Sequence, residues 1–294
     1  MAAPRRPPTC TVGASLGGLQ PCGLASVGQP LVNLPRTAPV AEAVHAQVVL
    51  HTIDPLLEPP RTPEDYRPGH QAMCDLLVSH GLEPLEHDEW ILDVPLVRSL
   101  IGDARAAVAR SVSAAEVCRA VEPSFSQLLT EPEWLPAQFQ QDAPESGMGG
   151  GIGQWLLFRA ADRSLCLFSL VVPSGSMTPV HDHLAWGLVG LYKGNQDEEF
   201  YKPGDGQLHL VRQRPLEPGD HYVLLPPRDD VHRVRTTSNV TSVSIHLLAN
   251  DTGCVLRHTF DEQTGRARPF RSGYVNAACR EANSPKRIDT ASRR

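Results

Sequence analysis

At Gly153 the spacing of apolar residues changes from a period of 3.6 to a period of 2, and this change governs what the rest of the chain can fold into. Beyond it, short apolar runs at 154–159, 165–172, 186–193, 198–201, 208–212, 221–225, 232–235, 240–247 and 254–260 are separated by turn residues. The separators include Pro173-Ser-Gly175, Gly194-Asn195, Pro203-Gly-Asp-Gly206 and Pro218-Gly219. Glycine and asparagine tolerate positive φ and proline presets its own, so these positions predict tight turns. Eight or nine short strands with no helix between them predict an antiparallel sandwich or a small barrel.

Before Gly153 the texture differs. Ten of the 27 prolines fall in residues 1–60, which reads as a Pro/Gly-rich, disordered tail or linker. Residues 61–150 read as a helical segment: Ala72, Leu76 and Leu77 are helically spaced between His70 and His80. Leu96, Leu100, Ile101, Ala104, Ala107 and Val108 form one stripe, and Ser113-Ala-Ala-Glu116 reads as a capping box opening another helix. Gly147 to Gly153, interrupted only by Met148 and Ile152, reads as a hinge into the β region of 151–280, with 281–294 as a C-terminal tail.

A hydrophobic fraction of 41% supports a core. The net charge of −6 and the 5% of aromatic residues provide no electrostatic footprint for nucleic acid or for an anionic membrane. No apolar run has the length of a membrane span. Seven cysteines at wide spacing match neither a disulfide framework nor a structural zinc site, which points to a reducing, cytoplasmic setting. The first forty residues carry Arg5, Arg6 and Arg36 and no acidic residue, so an organelle transit segment is the alternative.

Within the β region, Thr178-Pro-Val-His-Asp-His183 places His181 and His183 on one face of an extended segment and Asp182 on the other. Pro227-Arg-Asp-Asp-Val-His232 offers a third imidazole after a turn, with Asp230 as the backup ligand. Three neutral imidazoles leave a divalent ion its full charge and several open positions, as catalysis requires. The competing reading is ordinary surface or core histidine.

The order H-x-H, a glycine thirteen residues after the first histidine, then P-x-D-x-x-H resembles the two signature motifs of the cupin superfamily, a double-stranded β-helix (jelly-roll) barrel. Gly187 stands where the usual first motif has a glutamate ligand. A three-histidine site without that carboxylate is similar to the thiol dioxygenases, the family of cysteine dioxygenase and 3-mercaptopropionate dioxygenase. Gln154-Trp-Leu-Leu, Trp186-Gly-Leu-Val-Gly190 and Pro269-Phe-Arg-Ser-Gly-Tyr274 resemble the bacterial members of that family. The resemblance spans roughly residues 151–276.

It implies Fe(II) held by His181, His183 and His232, and a small carboxylate-bearing thiol oxidised by O2 to its sulfinic acid. It also implies that Ser244 and His246 are two members of a Ser-His-Tyr relay, that Arg257 grips the substrate carboxylate, and that Gln154 lines the substrate site. Leu248 replaces the relay tyrosine, and Gly187 leaves no cysteine for the thioether crosslink known in animal relatives. Arg159 is a second candidate for the carboxylate; on an unbroken strand it faces away from Gln154. Trp186 and Tyr192, Tyr201 and Tyr222 are expected to pack, His209, His221 and His258 to be ordinary strand histidines, and Cys166 and Cys254 to be small buried hydrophobes. The competing readings are a related three-histidine iron protein acting on another sulfur-containing metabolite, and a non-catalytic metal-binding barrel. No partner is implied beyond the thiol and O2, in a monomer or a homodimer.

Overall fold

The computed structural model describes residues 82–144 and 147–279. The helix expected at 70–80 and both tails lie outside them. Helix α1 (Pro95–Arg110) starts on a proline, whose fixed φ and missing N–H suit the first turn. It buries Val97, Leu100, Ile101, Ala104 and Ala107, a stripe rotated slightly from the expected one, so Leu96 and Val108 fall to its half-buried margins. Helix α2 (Ala114–Thr130) is capped by Ser113, whose Oγ accepts from the Glu116 amide at 3.3 Å. The Glu116 carboxylate reaches back to the Val112 amide at 2.9 Å, one residue beyond the usual partner.

The strands form two antiparallel sheets. The first has the order β1-β2-β3-β9-β4-β7, with β1 at Glu89–Trp90, β2 at Gly153–Arg159, β3 at Cys166–Val172, β4 at Gly187–Lys193, β7 at His221–Leu224 and β9 at Ser242–Leu248. The second contains β5 (Gln196–Gly204), β6 (Gln207–Leu216) and β8 (His232–Thr236) in the order β6-β5-β8, and the pair β10 (Arg257–Phe260) and β11 (Ala267–Phe270). The segment 177–181 joins these two parts: Met177 bridges to Arg235, and His181 bridges to both His232 and Thr259. The chain crosses repeatedly between the sheets, giving the mainly β, cupin-type jelly roll that the period-2 pattern and the motifs predict.

Every residue of β3 is buried because both of its faces are covered. Leu167 and Val171 pack outward against α1 and α2, while Cys166, Phe168, Leu170 and Val172 point into the barrel. The helical segment therefore seals the outer face of one sheet and also contributes β1 to its edge. β5 and β6 are longer than expected, because they close on a two-residue turn with positive φ at both Asp205 (50°) and Gly206 (76°), a turn whose twist matches that of the strands. The glycines at 149, 150 and 151 run at φ 72°, 62° and 76° and lead into β2 through a turn whose Ile152 is fully buried. Among the described residues no helix is long and apolar enough to cross a membrane.

Cys254 departs from the expectation. It forms a disulfide with Cys279, 25 residues on, because the turn at Asp251 and the C-terminal segment bring the two Cα atoms to 5.2 Å, within bridging range. Cys118 and Cys166 are buried free thiols, and burial raises the pKa of both.

Candidate metal centre

His181 and His232 face each other across the second sheet as a hydrogen-bonded pair, each amide donating to the other's carbonyl at 2.9 Å. Directly opposed residues share a face, so the two rings point the same way. His183, two residues on, joins them. The three ring centroids lie 4.8 to 5.0 Å apart, and one ligand atom from each ring lies within 4.8 Å of the other two. All three rings are buried, at 2%, 2% and 0% exposure.

The outer nitrogens have separate neighbours. His181 Nδ1 donates to the Pro179 carbonyl at 2.9 Å. His232 Nδ1 lies 3.1 Å from the Tyr222 hydroxyl and 3.0 Å from a Glu198 carboxylate oxygen. His183 Nδ1 is 3.4 Å from Asp230 but poorly aligned for a hydrogen bond. His232 Nε2 is buried with no partner among the described residues. An orphaned inward nitrogen beside two more imidazoles is the donor set a divalent transition ion takes. Burial, and then the neighbouring imidazoles and Arg257, hold His181 and His183 well below the ordinary histidine pKa, keeping them in the neutral form that coordinates metal.

Asp230 is not a member of the cluster. Its carboxylate accepts from the amides of His183 at 2.8 Å and Leu184 at 3.2 Å, locking the ligand loop instead of its own turn. Burial, and then Asp182 nearby, raise its pKa. The loop it braces is strained: Leu184 sits at φ 54°, a conformation costing about 1–2 kcal/mol for a residue with a Cβ. Asn250 secures the other side by donating to the carbonyls of His183 and Leu184.

Ser244 and His246 lie in β9 on the inward face, opposite Leu170 and Phe168. Ser244 Oγ is 3.0 Å from His246 Nε2, and the imidazole stacks on Phe168 with centroids 4.7 Å apart, 6.3 Å from the ring of His183. Leu248 continues the same face into the apolar interior. A Cβ placed on Gly187 would meet the Leu247 carbonyl oxygen at 2.1 Å and a Leu248 methyl at 2.5 Å, so no side chain fits at that position.

Arg257 opens β10 on the same side as Thr259, the partner of His181. Its guanidinium is buried and stacks on Phe270 at 4.9 Å. It donates to Thr252 O, Asp182 O and Ser272 Oγ, leaving two of its five N–H groups without a partner among the described residues. Burial lowers its pKa to about 10, against the raising influence of Asp182 and Asp230, so it stays cationic at neutral pH. Gln154 also faces inward, opposite Leu170, and its Nε2 has no partner among the described residues. It lies on the wall of a cleft of about 720 Å³ shared with Trp155, Ser272 and Tyr274. A cleft of about 770 Å³ between the end of α2 and Tyr192 contains none of the site residues.

Arg159 departs from its expected placement. A bulge between Leu156 and Phe158 breaks the strand's alternation, so Arg159 pairs with Cys166 on the inward side. Its guanidinium is occupied by Glu89 and Asp251, which removes it from the candidates for a substrate carboxylate. His258 is likewise not an ordinary strand histidine: its amide and its Nδ1 each lie 2.7 Å from the Asp182 carboxylate, on the face away from the ligands. Trp186 packs under the helices as expected. Tyr222 and Glu198, which flank His232, were not singled out by any motif.

No family model matches the chain. Three solved structures illustrate its partial likenesses. Peruvianin-I, described as a cysteine peptidase from Thevetia peruviana latex, aligns over 30% of this chain and 52% of its own at 24% identity, with a TM-score of 0.26. The oxalate decarboxylase of Lactobacillus farciminis aligns over 31% of this chain and 25% of its own at 14% identity, with a TM-score of 0.26. The Cupin_2 domain of an XRE family transcriptional regulator from Enterobacter cloacae aligns over 33% of this chain and 94% of its own at 19% identity, with a TM-score of 0.25. This chain thus spans about half of the first and a quarter of the second.

Proposed function

We propose that this protein is a non-haem Fe(II)-dependent thiol dioxygenase that oxidises a small carboxylate-bearing thiol, of the cysteine or 3-mercaptopropionate type, to its sulfinic acid with O2. The observation that carries the reading is a buried cluster of three histidines with no carboxylate among its ligand atoms, enclosed in a barrel whose interior also holds Ser244, His246 and Arg257. Bound there, Fe(II) would supply the O2 chemistry and acidify a thiol beside it.

The chain's residues divide the remaining work. His181, His183 and His232 would hold the ion in a buried pocket, with His181 and His232 oriented through their Nδ1 atoms. The two uncommitted N–H groups of Arg257 grip the substrate carboxylate, and the three committed ones keep the fork rigid. His246, aligned by Ser244 and by stacking on Phe168, has an Nδ1 without a partner among the described residues; burial, and then His232 and Arg257, hold its pKa well below the ordinary histidine value, so this nitrogen serves as a neutral hydrogen-bonding group for the substrate. Gln154 Nε2 is a neutral donor for a second polar group of the substrate. Leu248 in place of a phenol favours a second reading, in which the same ion oxidises another sulfur-containing metabolite.

The test is O2 consumption by iron-loaded protein against a panel of thiols. Cysteine, 3-mercaptopropionate or mercaptosuccinate should drive uptake and yield a sulfinate; silence with all three overturns the substrate assignment. Arg257→Ala is expected to raise KM for the acidic thiols about 10- to 100-fold, the equivalent of a lost charge-assisted hydrogen bond of ~1.5–3 kcal/mol. Iron content should be retained, and KM for 2-mercaptoethanol, which has no carboxylate, should not move.

A further inference from the structure

Glu198 is a fully buried carboxylate without a lysine or arginine partner among the described residues. It lies in β5 on the inward face with Gln196 and Phe200, all three within 1% of complete burial. Its one ion-pair neighbour among the described residues is His232, whose Nδ1 is 3.0 Å from Oε2, and the Tyr222 hydroxyl is its other polar neighbour there. The nearest cations are committed elsewhere: Arg214, its cross-strand neighbour, donates to the His221 carbonyl, and Arg212 lies over the Phe200 ring. A carboxylate withdrawn from water in this way needs a polar or charged partner. The group beside it is an imidazole whose other nitrogen faces the histidine cluster with no partner among the described residues.

We infer that Glu198 is a positioning residue of the metal centre, acting through His232: it holds Nδ1–H toward itself, turns Nε2 to the ion, and supplies the negative charge that three neutral imidazoles lack. The inference rests on reading the histidine cluster as a metal site. The three ligands are thereby made unequal. His181 Nδ1 meets a carbonyl and His183 Nδ1 makes no aligned bond, whereas His232 Nδ1 faces a carboxylate and is the strongest donor of the three. Tyr222, buried and with its hydroxyl 3.1 Å from the same nitrogen, closes the outer side of the pair.

The test uses the full chain, stripped of metal and titrated with Co(II) under a competing chelator, following affinity, the visible Co(II) spectrum and the thermal midpoint of the metal-free form. Glu198→Gln keeps the volume and removes the charge. It is expected to weaken Co(II) binding about 10- to 100-fold, to shift the Co(II) bands, and to leave the metal-free midpoint unchanged or raised. Glu198→Asp, which withdraws the carboxylate by one methylene, should fall between wild type and Gln in affinity, and it decides the matter if the Gln variant does not fold. Wild-type affinity and spectrum in the variants, or an affinity loss that only follows a lowered metal-free midpoint, overturns the role of Glu198 while leaving the metal site standing. A wild-type protein that takes up no Co(II) overturns both.

Discussion

Replacing His232 with alanine is expected to weaken metal binding by two to three decades and, under the proposed function, to abolish thiol-dependent O2 uptake. Binding energies of structural ions, ~10–16 kcal/mol over four ligands, assign roughly 2.5–4 kcal/mol to each. The fold should survive, because the pairing of residues 181 and 232 runs through main-chain hydrogen bonds that alanine keeps. Metal content after purification, together with an unchanged circular dichroism spectrum, checks both halves. A variant that retains wild-type iron would show that the orphaned Nε2 is not a ligand.

The same burial gives the metal-free protein a pH dependence of definite sign. His181 and His183 have depressed folded-state pKa values, with burial the largest cause. On acidification through the ordinary histidine range, near pH 6.5, the unfolded chain takes up protons that the folded one refuses. Their contribution is therefore fully present above that range and is lost as pH falls below it. The urea midpoint of metal-free protein should fall between about pH 7 and pH 5.5, and bound metal should raise the midpoint without removing the dependence, since the native rings are proton-free with or without the ion.

How much of this was legible in the sequence depended on whether a feature obeys a period. His181 and His183 are two residues apart on an extended segment, and His232 follows a turn at a motif spacing; parity alone put the first pair on one face. The Ser244, His246 and Leu248 face followed in the same way. Arg159 escaped because one bulge between Leu156 and Phe158 reverses parity, and a bulge leaves no periodic trace. Glu198 and Tyr222 escaped because their proximity to His232 is set by strand pairing between β5 and β8 and by the facing of the two sheets. The alternation Gln196, Glu198, Phe200 could have marked a buried carboxylate, had the inward face of β5 been known. Asp182 with His258, and Cys254 with Cys279, are long-range pairs of the same kind, made by the path of the C-terminal segment. The helices were readable as amphipathic, but the exact edge of a stripe is decided by the sheet it packs on.

Asp251→Ala is expected to cost about 3–5 kcal/mol of stability, the largest effect of any single replacement outside the metal cluster. Asp251 is wholly buried and serves two buried guanidiniums at once: Arg163 pairs with Oδ2, and Arg159 Nη1 lies 3.2 Å from the same oxygen. Both cations keep other contacts, Arg163 with the Glu83 carbonyl at 2.8 Å and Arg159 with Glu89. Removing the carboxylate nevertheless leaves their charges facing one another with no shared counter-ion. The Asp251 carbonyl also accepts the amides of Cys254 and Val255 at 2.7 and 2.9 Å, so the turn that leads into Arg257 is built on this residue. These main-chain bonds persist in alanine, which separates the two consequences: urea denaturation should show the full loss, while Co(II) affinity at the histidines stays near wild type. Asp251→Asn, which keeps an acceptor and removes the charge, should lose less. If the alanine variant unfolds at the wild-type urea concentration, water or relaxation compensates the two arginines, and the cluster is not what holds the C-terminal segment against the barrel.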